Sequence, residues 1–371
     1  MAGFSSLDNL ITNVSSSGKF WRADWNKNHA TAGTVVPGTW QGLIGGAGNP
    51  PANTTLGGTT LIPITQYDFM STAGGIQHGG PVSAAYDGYK VILNASGFSA
   101  AATSCPSVLM LVDLLQVIPL ANATISAAGT DTYLTTETVT FTNGTDLLNT
   151  TTDFPTYTPV SFTTTGTLPA EIVAGTIYWT IRQGATSSKL ATTLQNAIAG
   201  TAINLTTDGT ATNTLYVRLP RYSDGVGVQQ LIVASTASTA TAPTIQHTYV
   251  NAAGTAGKVT PTSPTLPTST AITPLLGVPY SGTGAGKYGP FMPLAAGDTG
   301  TQRLTNIILA GAGVTTGVFN TCLVKPLLTL PLSVIGVAAE RDLVNQIPSM
   351  PRVYDGACLV WLIYTQVAVP N

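Results

Sequence analysis

The string in this chain closest to a catalytic motif is Gly282-Thr283-Gly284-Ala285-Gly286-Lys287-Tyr288-Gly289. A phosphate-binding loop places a Gly five residues before its Gly-Lys pair and a Ser or Thr after the Lys, so that backbone N–H groups hold phosphate and the hydroxyl holds magnesium. Those two positions are Ser281 and Tyr288. With neither group present, the string reads as a glycine-rich surface loop. The histidines His29, His78 and His247 stand apart from one another and from Cys105, Cys322 and Cys358, so no zinc-ligand spacing is formed. His78 sits in Gly74-Gly75-Ile76-Gln77-His78-Gly79-Gly80, where it reads as a hydrogen-bonded loop residue and not as a base. Glycoside cleavage needs two carboxylates at a set separation, and a Ser or Cys nucleophile needs a positioned base. No such set is marked. Ser223-Asp224-Gly225 and Tyr354-Asp355-Gly356 read as turns, the Asp bonding its own backbone and the Gly taking positive φ. No catalytic residue, cofactor or metal is expected.

Charge is scarce. Only 8% of the 371 residues are charged, against roughly 25% in an ordinary soluble domain. Thr, Ser, Asn, Gly and Ala take their place, and 39 Gly with 24 Pro punctuate the chain, a composition of many short strands joined by tight turns. A net charge of −2 without any basic run excludes a nucleic-acid footprint. The stretch Met1–Leu10 lacks the basic start and apolar run of a secretory signal. The most apolar region, Ile307–Ala339, is interrupted by Gly311, Gly313, Lys325, Pro326 and Pro331, and so reads as buried strands, not as a membrane-spanning helix. Three widely spaced cysteines fit folding in a reducing cytoplasm.

The elements that would carry these residues follow from periodicity. Ser5 or Ser6 can cap a short amphipathic helix bearing Leu7, Leu10, Ile11 and Val14. Then come Phe20, Trp21 and Trp25, an apolar terminus that must either cover this chain's own core or dock on a neighbouring subunit. Apolar, β-branched runs predict strands over Tyr89–Leu93, Val108–Ile118, Gly227–Ser235, Thr244–Val250, Arg303–Ala310, Val318–Val324 and Cys358–Val367. A second helix is predicted around Ala338–Gln346, ended by Pro348. The stretch Asn122–Arg218 differs: Asp131, Glu137, Asp146, Asp153, Glu171 and Asp208 outnumber Arg182, Lys189 and Arg218, and its strands alternate. The reading is an all-β chain: an N-terminal helix and aromatic arm (1–30), a jelly-roll-like β-sandwich body (31–121 with 219–371), and an inserted immunoglobulin-like sandwich (122–218).

Within the insert, Val160–Pro169, Val173–Trp179, Lys189-Leu190-Ala191 and Gly200–Ile203 resemble the small immunoglobulin-like modules of phage tail, fibre and capsid-surface proteins. Outside it, Phe20–Lys27, Ile76–Gly80, Val108–Asp113, Leu219–Gly225, Tyr288–Gly300, Glu340–Gln346 and Pro351–Ala357 resemble a family of uncharacterised phage virion proteins. The resemblance implies a particle component: a capsid decoration, cement or minor capsid protein, or alternatively a tail, baseplate or fibre component that binds the host surface. Taken with the low charge, the apolar strands and the aromatic N-terminus, the resemblance leads to the expectation of other copies of the chain as partners, as a trimer, together with phage capsid protein, and of location in a virion assembled in the host cytoplasm. Nucleic acid and membrane are not expected partners. Phe20, Trp21, Trp25, Arg341, Arg352 and Asp355 are the expected assembly contacts, and Tyr178 and Trp179 the expected surface-binding pair for weak host-surface or glycan contact through the insert.

Overall fold

The fold is that of a computed structural model, which describes residues 6–16, 22–28, 39–42, 47–49, 75–76, 78, 89–92, 94–97, 108–120, 129–236, 244–261, 277–278, 290–310, 318–342 and 352–365. Helix α1 (Leu7–Ser16) is followed by the short strands β1 (Asn26–Asn28), β2 (Thr39–Gly42), β3 (Ala47–Asn49), β4 (Tyr89–Val91) and β5 (Asn94–Gly97). The long β6 (Val108–Leu120) and then β7 (Gly129–Thr132) lead into β8 (Thr136–Thr142), β9 (Leu147–Asn149), β10 (Pro159–Thr164), β11 (Tyr178–Gly184), β12 (Ser187–Ala191), α2 (Leu194–Ile198) and β13 (Asn213–Val217). The chain continues through β14 (Gln229–Thr236), β15 (Thr244–Asn251), β16 (Lys258–Val259), β17 (Gly277–Val278) and β18 (Thr301–Ala310). It ends with β19 (Val318–Pro331), β20 (Ala339–Asp342), β21 (Arg352–Tyr354) and β22 (Leu359–Thr365). The protein is all-β, as its composition predicts. Ser6 caps α1 by accepting from the Asn9 N–H at 3.1 Å, in line with the capping expected there.

Strands β14, β17, β2, β22, β6 and β19 close into a barrel, joined in that order. Strand β6 is apolar on both faces because both are covered. Val112, Leu114 and Val117 join Trp40, Leu231, Cys322, Val324, Val360 and Leu362 in one cluster. Leu115 and Ile118 pack instead with Phe319, Leu323, Tyr249, Leu304 and Ile307, under a four-stranded sheet ordered β16-β15-β18-β7. Leu109 and Leu111 belong to a third cluster with Trp361, Ile363 and Val353. A bulge between Leu323 and Val324 gives β6 an extra residue that shifts its alternation, so that Leu114 and Val117 share one cluster and Leu115 and Ile118 the other. A second irregularity lies between Pro326 and Leu328, where a proline without an N–H interrupts the ladder least.

Strands β10, β11, β12, β9, β8 and β13 close into a second barrel with its own core of Val139, Phe141, Leu148, Phe162, Tyr178, Leu190 and Leu215. Strand β7 falls outside this ring. It pairs with β18 from Asn306↔Thr132 to Leu309↔Gly129, and the ring closed on itself begins with β8 at Thr136. The two chain crossings lie side by side, the Val217 N–H donating to Thr135 O at 2.9 Å.

The helix expected at Ala338–Gln346 is not formed over its described part. Residues Ala339–Asp342 are β20, paired antiparallel with β5 from Ala339↔Gly97 to Asp342↔Asn94. A helical pattern this short has little intrinsic stability, and an available strand edge overrides it. Residues 343–346 lie outside the described residues. None of the described helices is long and apolar enough to cross a membrane.

Candidate functional site

Asp113 is the one charge in the apolar run of β6, flanked in register by Lys325 of β19 and Leu359 of β22. Its carboxylate is fully buried and accepts three hydrogen bonds: from Arg221 Nη2 at 2.7 Å, from Arg221 Nε at 2.9 Å and from the Cys358 N–H at 3.0 Å. Arg221 Nη2 also donates to Leu114 O at 3.1 Å. Burial lifts the Asp113 carboxyl above the ordinary carboxylate range against the pull of Arg221. Burial works against the charge on Arg221 too, but Asp113 outweighs it and holds the guanidinium above its ordinary value. The bidentate fork therefore ties three distant chain passages together: β6, the stretch leaving the second barrel, and the turn entering β22.

That stretch, Arg221–Gly227, is shaped by backbone that side chains resist. Tyr222 has φ 52° and Gly225 φ 73°. A Cβ on Gly225 would lie 2.7 Å from Gln302 N and Thr301 O, and one on Gly300 would overlap the Gly225 carbonyl. Two glycines thus let the loop cross the start of β18 at backbone contact. The crossing aims Tyr222 at Tyr354, ring centres 5.0 Å apart and nearly perpendicular at 86°. The Tyr222 hydroxyl donates to Arg352 O at 3.3 Å. Lys325 Nζ donates to Val226 O at 2.7 Å and lies 5.4 Å from the Tyr222 ring centre. Burial lowers the Lys325 ammonium from its ordinary value, opposed by Asp224, and burial raises the Tyr222 phenol. A cleft of about 380 Å³ opens here, lined among others by Tyr222, Asp224, Lys325, Leu327, Arg352 and Tyr354. It gathers two cations, one carboxylate and two phenol rings against Val226, Pro326 and Leu327.

A second polar chain runs through the interior between barrel and sheet. Gln230 Nε2 donates to Thr301 Oγ1 at 2.8 Å, which leaves Gln230 Oε1 to accept from His247 Nδ1 at 3.0 Å. His247 Nε2 then accepts from Thr321 Oγ1 at 3.3 Å, and Thr321 accepts from the Tyr133 hydroxyl at 2.9 Å. This direction of donation fixes a neutral imidazole, and burial pushes His247 down to about 3. Burial likewise raises the Cys322 thiol. Among the described residues no group of three His, Cys, Asp or Glu could hold a metal ion.

The residues singled out from sequence are dispersed. Arg352 lines the cleft, and Asp355 sits in the adjoining turn at 0% exposure, so its carboxylate is not offered to a partner. Arg341 lies on β20 opposite Ala95. Trp25 packs on Trp361, ring centres 6.1 Å apart, and so covers this chain's own core; Phe20 and Trp21 lie outside the described residues. Tyr178 is corrected from surface to core. It is 4% exposed, packs 6.2 Å from Phe162 and accepts the Val173 N–H on its hydroxyl at 2.9 Å, while Trp179, the next residue of β11, points the other way and is half-buried. Strand alternation forces that division, because adjacent residues cannot share a face. His78 is buried with Nε2 2.9 Å from Ala357 O, consistent with a hydrogen-bonded loop residue. The glycine-rich string at 282–289, His29 and Cys105 lie outside the described residues.

Sequence reasoning passed over Asp113 and Arg221 as site residues. A lone carboxylate within Val-Leu-Met-Leu-Val-Asp-Leu-Leu-Gln-Val-Ile was the available signal, since such a group must find a cation. The sequence segments around Ile76, Asp113, Arg221, Gly300 and Tyr354 all converge here: Ile76 N–H donates to Leu359 O at 2.9 Å, and Thr301 N–H to Val228 O at 3.1 Å. Comparison with family models, with curated proteins and with solved structures finds no match.

Proposed function

We propose that this chain is a non-enzymatic structural component of a bacteriophage particle, a capsid decoration, cement or minor capsid protein that works as a homo-oligomer, a trimer, on the shell. In this reading the first barrel and its covering sheet are a jelly-roll-like assembly body seated on capsid protein, and the 136–217 barrel is an immunoglobulin-like module projecting outward. The observation that carries it is the use made of the Ile76, Val108, Leu219, Tyr288 and Pro351 segments, which carry the resemblance to virion proteins. They supply the Asp113–Arg221 fork, the Gly225–Gly300 crossing and the Ile76 side of the Ile76–Leu359 bridge, contacts that hold distant chain passages together. A buried ion pair that fastens distant chain passages suits a part that must be rigid and numerous.

The test is the chain's presence and copy number in purified particles, by quantitative mass spectrometry and by antibody labelling of intact virions. Copy number in multiples of the shell symmetry supports the reading; absence from particles sinks it. A second reading, a tail, baseplate or fibre component contacting the host, is favoured by Val173, 62% exposed, and Ile198, 45% exposed, on the 136–217 barrel. Glycan-array binding that depends on Trp179, with a copy number too low for a shell, would favour it.

A further inference from the structure

Arg218 and Arg303 lie where the barrels join, and neither forms an ion pair with a carboxylate among the described residues. Tyr216 and Arg218 alternate with buried Leu215 and Val217, so they share the outer side of this strand. Strand β18 brings Arg303 against them, its guanidinium carbon 4.5 Å from the Tyr216 ring centre. Arg303 Nε is buried and makes no hydrogen bond. Arg218 makes one long contact, Nη2 to Ser223 O at 3.4 Å. Five other cations of the described residues do pair: Arg22, Arg182, Lys189, Arg221 and Lys258 each face an Asp. Glu137, on the strand beside β13 and opposite Leu215, is already engaged by the Thr151 and Thr152 N–H groups.

Half-buried like charges side by side are costly, because each loses hydration and each repels the other. Burial pushes Arg303 down to about 10; the Tyr216 phenol opposes this and the Arg218 guanidinium adds to it. What the arrangement lacks is an acceptor of negative charge, and a guanidinium fork matches an oxyanion in shape as well as sign.

We propose that Arg303, stacked on the Tyr216 ring, and Arg218, two residues on from Tyr216 on the same side of the chain, form a binding site for a small oxyanion at the junction of the two barrels. Because Tyr216 lies in one barrel, Arg218 directly follows that barrel's last strand and Arg303 belongs to the sheet covering the other, occupation of the site pins the 136–217 barrel in its orientation. Phosphate and a carboxylate both satisfy the fork; the first would come from solution, the second from an acidic side chain or C-terminus of a neighbouring chain.

Calorimetric titration of the full-length protein with inorganic phosphate at low ionic strength, repeated with acetate present, is the test. Wild type and Arg182→Gln should each bind one phosphate per chain saturably, and Arg218→Gln or Arg303→Gln should weaken binding by about tenfold or more. Thermal unfolding supplies a second reading: phosphate at ten times its dissociation constant should raise Tm by about 2–3 °C over the same ionic strength of chloride, and only where both arginines are present. Acetate that displaces phosphate supports the site with a carboxylate as its physiological occupant, and acetate that does not supports it with free phosphate. Binding undiminished by Arg218→Gln or by Arg303→Gln, or no saturable binding of either anion, overturns the proposal. Arg303→Lys, which keeps charge and bulk, should fold like wild type and retain weakened binding.

Discussion

At the scale of single residues, the molecule places a few polar groups where removal of one partner leaves the other stranded. Asp113→Asn keeps the shape of the carboxylate but leaves Arg221, whose side chain is 8% exposed, charged and uncompensated. Breaking such a pair costs about 3–5 kcal/mol, although the pair adds little over an apolar isostere. Equilibrium urea unfolding should therefore show that loss for D113N, whereas Asp153→Asn, which breaks the half-exposed Arg182 pair, should change stability by less than about 1 kcal/mol. Equal losses at the two sites would contradict the assignment. His247 gives a pH dependence with a definite sign. Its folded value of about 3 lies below the ordinary value of 6.5, so between these the unfolded chain takes up a proton that the folded chain refuses. Stability is then complete above about 6.5 and falls as the pH drops toward 3, by about 1.4 kcal/mol per unit. Urea midpoints compared between neutral pH and about pH 5, a window above most carboxylate titration, should fall more steeply for wild type than for His247→Gln. Parallel pH profiles would show that the imidazole is not held neutral.

Elements are fixed as much by close backbone approach as by side-chain pattern. The Gly225–Gly300 crossing has main-chain atoms on every side: a Cβ on Gly300 would meet Gly225 O, Gly227 N at 2.7 Å and Val228 N at 3.0 Å, none of which is a flexible end. Gly300→Ala should cost about 3 kcal/mol or more in urea unfolding. Gly254→Ala, at φ 81° with open space around it, should cost only the left-handed strain of about 1–2 kcal/mol. A Gly300→Ala protein as stable as Gly254→Ala would show that the crossing can relax. This crossing was illegible in the sequence, where Asp298-Thr299-Gly300 and Ser223-Asp224-Gly225 look like independent turns. Long apolar strands such as β6, β14, β18 and β22 could be read because β-branched runs bounded by Gly, Pro or Asn have one plausible use. The Ala339–Asp342 strand could not be: Glu, Arg and Asp beside Val and Leu favour a helix locally, and only the edge of β5, about 245 residues earlier, converts them to a strand. Tyr178 failed for a related reason. Two adjacent aromatics in Tyr-Trp do not disclose which one alternation turns inward, and its ring partner Phe162 lies in another strand.

On the scale of the whole molecule, the two barrels have separate cores, and the covalent path between them is short. No residue of the cluster around Phe162 and Leu215 comes from outside 139–217, and none of the other three clusters draws on 136–217. Entry and exit meet at the Val217–Thr135 hydrogen bond, so the ends left by excision are already neighbours. Replacing residues 136–217 by a short Gly-Ser linker should therefore close a small loop at little entropic cost and leave the body's barrel, its covering sheet and the Asp113–Arg221 fork intact. The shortened chain should unfold in a single cooperative transition, with a urea m-value reduced in proportion to the surface removed. Residues 133–219, expressed alone, should give a folded β protein by circular dichroism and dispersed amide resonances, since all six strands of that ring are present. Tyr133 and Leu219 belong to the body core, so that fragment carries two apolar residues without partners, and trimming to 135–218 should improve its solubility without loss of stability. Loss of folding in the excised body would mean instead that contacts across the junction, such as Arg303 on the Tyr216 ring, are required for the sheet that carries Arg303 to form.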